Sequence, residues 1–85
     1  MLKPKKVALT LGSTAALVHI AWSLIVALGW GQALYDFAHK AHFITPVGIV
    51  EPFNFGTALM VIVIAFCIGS ALGFLFANLW NRLGA

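Results

Sequence analysis

The chain has 85 residues, of which 62% are hydrophobic and only 8% are charged. A water-soluble domain of this size buries too little of its surface to hide so much apolar area, so the composition predicts an integral membrane protein. The net charge of +3 comes from only five basic residues, too few for the basic face that nucleic-acid binding requires. The single cysteine, Cys67, excludes an internal disulfide and is expected to be a small packing residue.

Two long uncharged segments follow a short basic head, MLKPKK. A helix crosses a bilayer with roughly 20 residues, and each segment is long enough to cross with some tilt. The predicted organisation is a basic head (1–6), transmembrane helix 1 (7–30), a connector (31–54), transmembrane helix 2 (55–80) and a tail (81–85). The predicted fold class is therefore an all-α membrane protein, a two-helix transmembrane hairpin with a short interfacial helix in its connector.

A cleavable signal peptide is the alternative interpretation of the first segment. Gly31 and Ala33 are small residues of the kind found at cleavage sites. The uncharged run of about 24 residues before them is far longer than the apolar region of a signal peptide, which has 7–15 residues. We therefore expect a retained transmembrane helix.

The basic residues predict the orientation of the hairpin. Lys3, Lys5 and Lys6 precede helix 1 and Arg82 follows helix 2, whereas the connector holds only Lys40. Cytoplasmic segments carry the excess of lysine and arginine. Both termini are therefore predicted to be cytoplasmic, and the connector is predicted to lie outside.

The connector carries the pattern of a short amphipathic helix. Leu34, Phe37, Ala38 and Ala41 recur at i, i+3, i+4 and i+7, which places them on one helix face. An apolar face of this kind suits the membrane surface. Further along, Asn54 is the expected N-cap of helix 2, since its side-chain oxygen can accept a hydrogen bond from the first turn.

Small residues predict where the two long helices meet. On helix 2, every fourth residue is small: Ala65, Gly69, Gly73 and Ala77. We call this set the ridge. On helix 1, a seam within an arc of about 80° comprises Gly12, Ala16, His19, Ser23 and Ala27. Small residues allow the close backbone approach on which helix association in lipid depends, so we predict that seam and ridge pack together, within one hairpin or between copies.

His19 lies near the middle of helix 1 and is the most informative single residue. An ionisable side chain at that depth is costly and normally faces protein or a cavity. The simplest role is an interhelical hydrogen bond, to Ser23, Cys67, Ser70 or a neighbouring chain. A proton or ion relay is a further alternative, although neither long segment contains the additional acidic groups that relays use.

A third role for His19 is axial ligation of a haem or chlorin. Ala15 lies one turn before it, which would leave room for a macrocycle, and Trp30 follows eleven residues on. This spacing resembles that of the antenna polypeptides of purple bacteria. The resemblance implies a pigment-binding or haem-binding subunit in which His19 holds the cofactor.

Other polar residues offer no clear site. Asp36, His39 and His42 are spaced three apart, and successive steps of three drift around a helix by about 60°, so the trio is not expected to converge on a metal. The sequence contains no glycine-rich phosphate loop, nucleophile elbow or paired carboxylates. We expect neither a metal site nor an enzyme.

Several short motifs resemble a family of prokaryotic membrane proteins with two transmembrane helices, described only as a domain of unknown function. They are Lys5 to Gly12 (KKVALTLG), Gly29-Trp30-Gly31, Pro46 with Gly48, the ridge, and residues 76–81 (FANLWN). The resemblance implies a multi-pass protein of the prokaryotic cytoplasmic (inner) membrane and supports the hairpin topology. It implies no activity.

From these features we expect a small structural or accessory membrane subunit. It would pack through its small-residue faces into a homo-oligomer or a larger membrane complex, so its partners are the lipid bilayer and other subunits or copies of itself. The alternatives are a subunit of an electron-transfer or light-harvesting complex that binds a tetrapyrrole through His19, and a pore or transport accessory built from several copies.

Overall fold

A computed structural model describes residues 1–84, which form three α-helices and no strand. They are α1 (Pro4–Ala27), α2 (Gly31–Ala41) and α3 (Phe55–Leu83). The two long helices pack against each other along their lengths. Of these two helices, α2 contacts only α1. The predicted two-helix hairpin with a short connector helix is confirmed.

Both long helices have the length and composition of membrane spans. With 24 residues in α1 and 29 in α3, they are about 36 Å and 43 Å long, and each exceeds the hydrocarbon thickness of a bilayer, about 30 Å. In the most apolar stretch of each, only 6% (α1) and 11% (α3) of the residues are buried inside the protein. A core helix of a soluble domain would be mostly buried, so these helices indicate a membrane protein.

The helix α1 begins and ends earlier than predicted. It starts at Pro4 rather than residue 7, because proline needs no hydrogen-bond acceptor in the first turn of a helix and its fixed φ suits that position. It ends at Ala27, before the predicted Trp30. Gly29 has a φ of +86°, a left-handed conformation that glycine adopts without steric cost and that turns the chain into α2.

The helix α3 begins where the sequence predicts and ends three residues later. The Asn54 side chain accepts a hydrogen bond from the Thr57 backbone N–H at 3.0 Å, so the predicted N-cap is confirmed. The helix continues to Leu83 rather than to residue 80. The extension carries Arg82 in the last turn, where a cation interacts favourably with the helix dipole.

The backbones of α1 and α3 come closest at two glycines of the ridge. A Cβ atom added to Gly73 would lie 2.8 Å from the carbonyl oxygen of Val7 and 2.9 Å from the Cα of Ala8. One turn earlier, a Cβ on Gly69 would lie 3.0 Å from the Cα of Gly12. Real side chains essentially never approach so closely, so only glycine allows this separation of the helices.

The two termini meet at one end of the hairpin through Asn81. Its Oδ1 accepts a hydrogen bond from the backbone N–H of Leu2 at 2.8 Å, and its Nδ2 donates one to the carbonyl of Leu2 at 2.7 Å. One side-chain amide thus satisfies both backbone groups of a residue just before α1. Leu2 and Asn81 therefore lie at the same end of the hairpin.

At the opposite end, Gln32 holds the connector in the same way. Its Nε2 donates to the carbonyl of Gly48 at 3.2 Å, and its Oε1 accepts from the N–H of Val50 at 2.7 Å. The Tyr35 hydroxyl accepts a further hydrogen bond from the N–H of Gly48 at 3.2 Å. These contacts fix the non-helical segment after α2 against the first two turns of that helix.

Candidate functional site

The ridge of α3 lies inside the hairpin. Ala77 has no exposed surface and Ala65 retains only 8%, while Gly69 and Gly73 contact α1 backbone atoms. All four predicted residues therefore face α1 within one chain. No small-residue face of this register remains on the outside of α3.

The face of α1 that meets α3 differs from the predicted seam. Gly12 is buried, and Ala16, His19 and Ser23 are half-buried, but Ala27 is exposed. The half-buried or buried positions along α1 also include Ala8, Ala15, Trp22 and Val26. The observed face therefore includes four of the five predicted residues, and its mean direction lies roughly 40° around α1 from that of the predicted seam.

The reason for this rotation is the size of the residues near the connector. Small residues form the contact with α3 only between Ala8 and Ala15, where the two backbones approach each other closely. Beyond that point Trp22 and Val26 lie between the helices. A face defined by small residues alone therefore diverges from the true one as it approaches the connector.

Within one chain, His19 forms no interhelical hydrogen bond among the described residues, and the predicted bond to a neighbouring chain stays a prediction. Its Nδ1 lies 2.8 Å from the carbonyl oxygen of Ala15, one turn back on the same helix. A carbonyl only accepts, so in the neutral imidazole this contact places the ring proton on Nδ1 and leaves the lone pair on Nε2 without a partner in the described chain. Cys67 is exposed, and the buried hydroxyl of Ser70 has no hydrogen-bond partner within the described chain.

The His19 ring lines an open groove of about 530 Å³ between the connector-side halves of α1 and α3. Residues 50–54 cross its outer end. Most of its walls are apolar, and seven side chains contribute hydrogen-bonding groups: His19, Trp22, Ser23, Tyr35, Glu51, Asn54 and Thr57. Apolar walls with a few polar groups are typical of sites for small molecules, which makes this groove the candidate site.

The groove does not extend to the space that a macrocycle over Ala15 would need. A Cβ on Gly69 would lie 3.1 Å from the Cβ of Ala15, so α3 fills the position one turn before His19. The free Nε2 of His19 has the chemistry of an axial ligand, but the predicted clearance at Ala15 is occupied.

The other histidines each bond to their own helix. The Nδ1 atoms of His39 and His42 contact the carbonyl oxygens of Tyr35 and Ala38, and Asp36 accepts a hydrogen bond from Gln32 at 3.0 Å. In residues 1–84, no group of three histidine, cysteine or acidic side chains could hold a metal ion. The trio Asp36, His39 and His42 does not converge.

Four polar side chains that organise the structure lie outside the predicted site residues. They are Gln32, Tyr35, Ser70 and Asn81. Gln32 lies in the first turn of α2 and Asn81 in the last turn of α3, and each side-chain amide offers both a donor and an acceptor to nearby non-helical backbone. Ser70 offers no comparable signal, because its burial depends on its contact with Gly12.

Comparisons with known proteins add no assignment to this site. The chain matches no protein-family model, no curated protein and no solved structure. The resemblance to the two-helix family therefore stays a prediction.

Proposed function

We propose that this protein is a small accessory subunit of a membrane, a preformed two-helix unit that assembles through its outer surface. The observation that carries this proposal is that the ridge is fully used inside the hairpin. What remains outside is a surface of large apolar side chains, each more than half exposed, including Leu17, Leu24, Ile68, Leu72 and Leu75. Such a surface suits lipid and partner helices.

Assembly with other subunits or copies would therefore use a different surface from the small-residue faces. The contact of Gly69 and Gly73 with α1 already provides the close approach that such residues offer. A helix of another chain cannot pack on Gly69 and Gly73 while α1 occupies that surface. Contacts with partners would instead involve the large outward side chains.

The proposed orientation places the termini in the cytoplasm of a prokaryotic cell and the connector outside the inner membrane. The joined ends carry Lys3, Lys5, Lys6 and Arg82, against Lys40 in the connector. The positive-inside preference supports this orientation.

The connector helix α2 is proposed to lie on the extracytoplasmic surface of the inner membrane. One side of α2 is held against the following non-helical segment, because Gln32 and Tyr35 form hydrogen bonds with the backbone of Gly48. Leu34 and Phe37 are 41% and 70% exposed, and Phe43, just beyond the helix, is 99% exposed. Apolar side chains at this level can enter the boundary between headgroups and acyl chains.

Purification from the native membrane in mild detergent tests the accessory role. We expect stoichiometric partner chains, or a fixed number of copies, in native mass spectrometry. A protein that stays monomeric and alone in every mild preparation would contradict the proposal.

Cysteine labelling tests the orientation. In a Cys67→Ala background, we expect Val47→Cys to react with an impermeant maleimide on intact cells, because Val47 is 87% exposed in the connector. Lys3→Cys and Gly84→Cys should react only after the membrane is permeabilised. Labelling of the two termini from opposite sides would exclude the hairpin topology in the membrane.

The free Nε2 of His19 favours one second candidate, a tetrapyrrole-binding subunit. If the native protein carries haem or chlorin, we expect its absorbance band to disappear in His19→Ala and to remain in His39→Ala, since His39 lies in α2. A colourless native complex would rule this candidate out and leave the accessory role intact.

A further inference from the structure

The first half of α1 carries a basic surface, which we define as Lys3, Lys5, Lys6, Thr10 and Ser13. These residues line one open concavity of about 650 Å³, together with Leu9, Thr14 and Leu17. The hydroxyl of Thr10 donates to the carbonyl of Lys6 at 2.8 Å. The hydroxyl of Thr14 likewise donates to the carbonyl of Thr10 at 2.7 Å. The side-chain donors left for a ligand are therefore the three ammonium groups and the hydroxyl of Ser13.

Within residues 1–84, no acidic side chain lies near this surface to compensate its positive charge. The first turn of α1 contains no acidic residue, and the only two acidic residues, Asp36 and Glu51, lie in the connector. The connector is at the other end of the hairpin, about 36 Å away along α1. That distance is several Debye lengths at physiological salt, so the carboxylates cannot neutralise the lysines.

Most of the basic surface points away from α3. Lys5 is the exception, because it lies only about 20–60° around α1 from Ala8 and Gly12, although it is exposed at the start of the helix. Lys6, Thr10 and Leu17 lie about 120–200° around α1 from Ala8 and Gly12, which meet α3. Leu17 is 64% exposed. A ligand can therefore place an anionic group among the lysines while its apolar part runs along Leu9 and Leu17 toward the middle of the helix.

We infer that the basic surface binds the phosphate headgroup of an anionic phospholipid. Three lysines beside an apolar, lipid-facing helix match a molecule with a negative head and acyl chains, and each lysine near an anionic membrane surface adds to the attraction. The inference rests on the proposed membrane location. It goes beyond that location because it assigns lipid selectivity to particular residues at one end of the hairpin.

Lipid titration of the intact chain in zwitterionic nanodiscs tests the inference. We expect phosphatidylglycerol to bind, with retained lipid molecules counted by native mass spectrometry, and phosphatidylcholine not to bind. In Lys3→Gln/Lys5→Gln/Lys6→Gln the affinity should fall at least about tenfold, because three attractive charges are removed. Lys40→Gln is the matched control and should retain normal affinity.

Three outcomes would overturn the inference: equal binding of the two lipids, the same loss in Lys40→Gln as in the triple variant, or competition by inorganic phosphate at millimolar concentration. The last would identify a site for free phosphate rather than for lipid. Failure of the chain to remain in membranes after carbonate extraction is a separate result, and it would contradict the proposed function instead.

Discussion

Replacing Gly73 by leucine is expected to separate α1 from α3 and to destabilise the hairpin by about 3 kcal/mol or more. A Cβ at this position would lie 2.8 Å from the carbonyl oxygen of Val7 and 3.1 Å from its carbonyl carbon. These are backbone atoms, so no side-chain rotation relieves the clash. Overpacking in a tight core usually costs 1–3 kcal/mol, and a clash between two backbones belongs at the upper end or beyond.

The measurement is the unfolding free energy in detergent micelles, followed by circular dichroism during an SDS titration. Ala71→Leu is the matched control, because Ala71 lies two residues earlier on the same helix and is exposed. It adds the same side chain without a steric clash and should leave the transition unchanged. Equal stability of Gly73→Leu and Ala71→Leu would show that the helices do not approach closely at Gly73.

The ridge and the cap of α3 could be predicted from sequence because each depends on local pattern. The spacing of four between Gly69 and Gly73 sets a continuous stripe whatever the partner is. Asn54 needs only the N–H groups of the following turn. The existence of the two long helices could be predicted in the same way, since each follows from a long uncharged run, although their ends differ from the predicted bounds by up to three residues.

The contact face of α1 and the state of His19 could not be predicted in the same way. Both depend on how far apart the helices are, which changes from Gly12 to Trp22 along α1. The bond between His19 and the carbonyl of Ala15 competes with any interhelical partner, and α3 offers none at that level. The hydrogen-bond partner of His19 therefore depends on the distance between the two helices at that level, which the residues around His19 in the sequence do not reveal.

Side-chain amides hold both ends of the hairpin, and this explains how so small a chain fixes its irregular segments. Asn81 bonds both backbone groups of Leu2, and Gln32 bonds backbone groups on either side of residue 49. An amide carries one acceptor and a donor group, the same pair that a neighbouring β-strand would present. Each clamp thus satisfies one donor and one acceptor of a non-helical segment.

Removing the Gln32 clamp should release the connector while leaving the two long helices packed. In Gln32→Leu the carbonyl of Gly48 and the N–H of Val50 lose their partners, at 3.2 Å and 2.7 Å in the native protein. Two hydrogen bonds at 0.5–1.5 kcal/mol each amount to about 2 kcal/mol, or roughly 30-fold in an opening equilibrium. We therefore expect the Val50 amide to exchange with deuterium roughly 30-fold faster, as measured by NMR in micelles.

A shifted amide provides the sharpest control for this prediction. The double variant Gln32→Leu/Ala33→Gln keeps one glutamine in α2 but moves it by one position, which turns its side chain by about 100°. Ala33 is exposed, so the new amide cannot reach residues 48 and 50, and exchange at Val50 should stay fast. Slow exchange in the double variant would mean that any polar side chain early in α2 fixes the connector, and that the pairing of Gln32 with residues 48 and 50 is not what holds it.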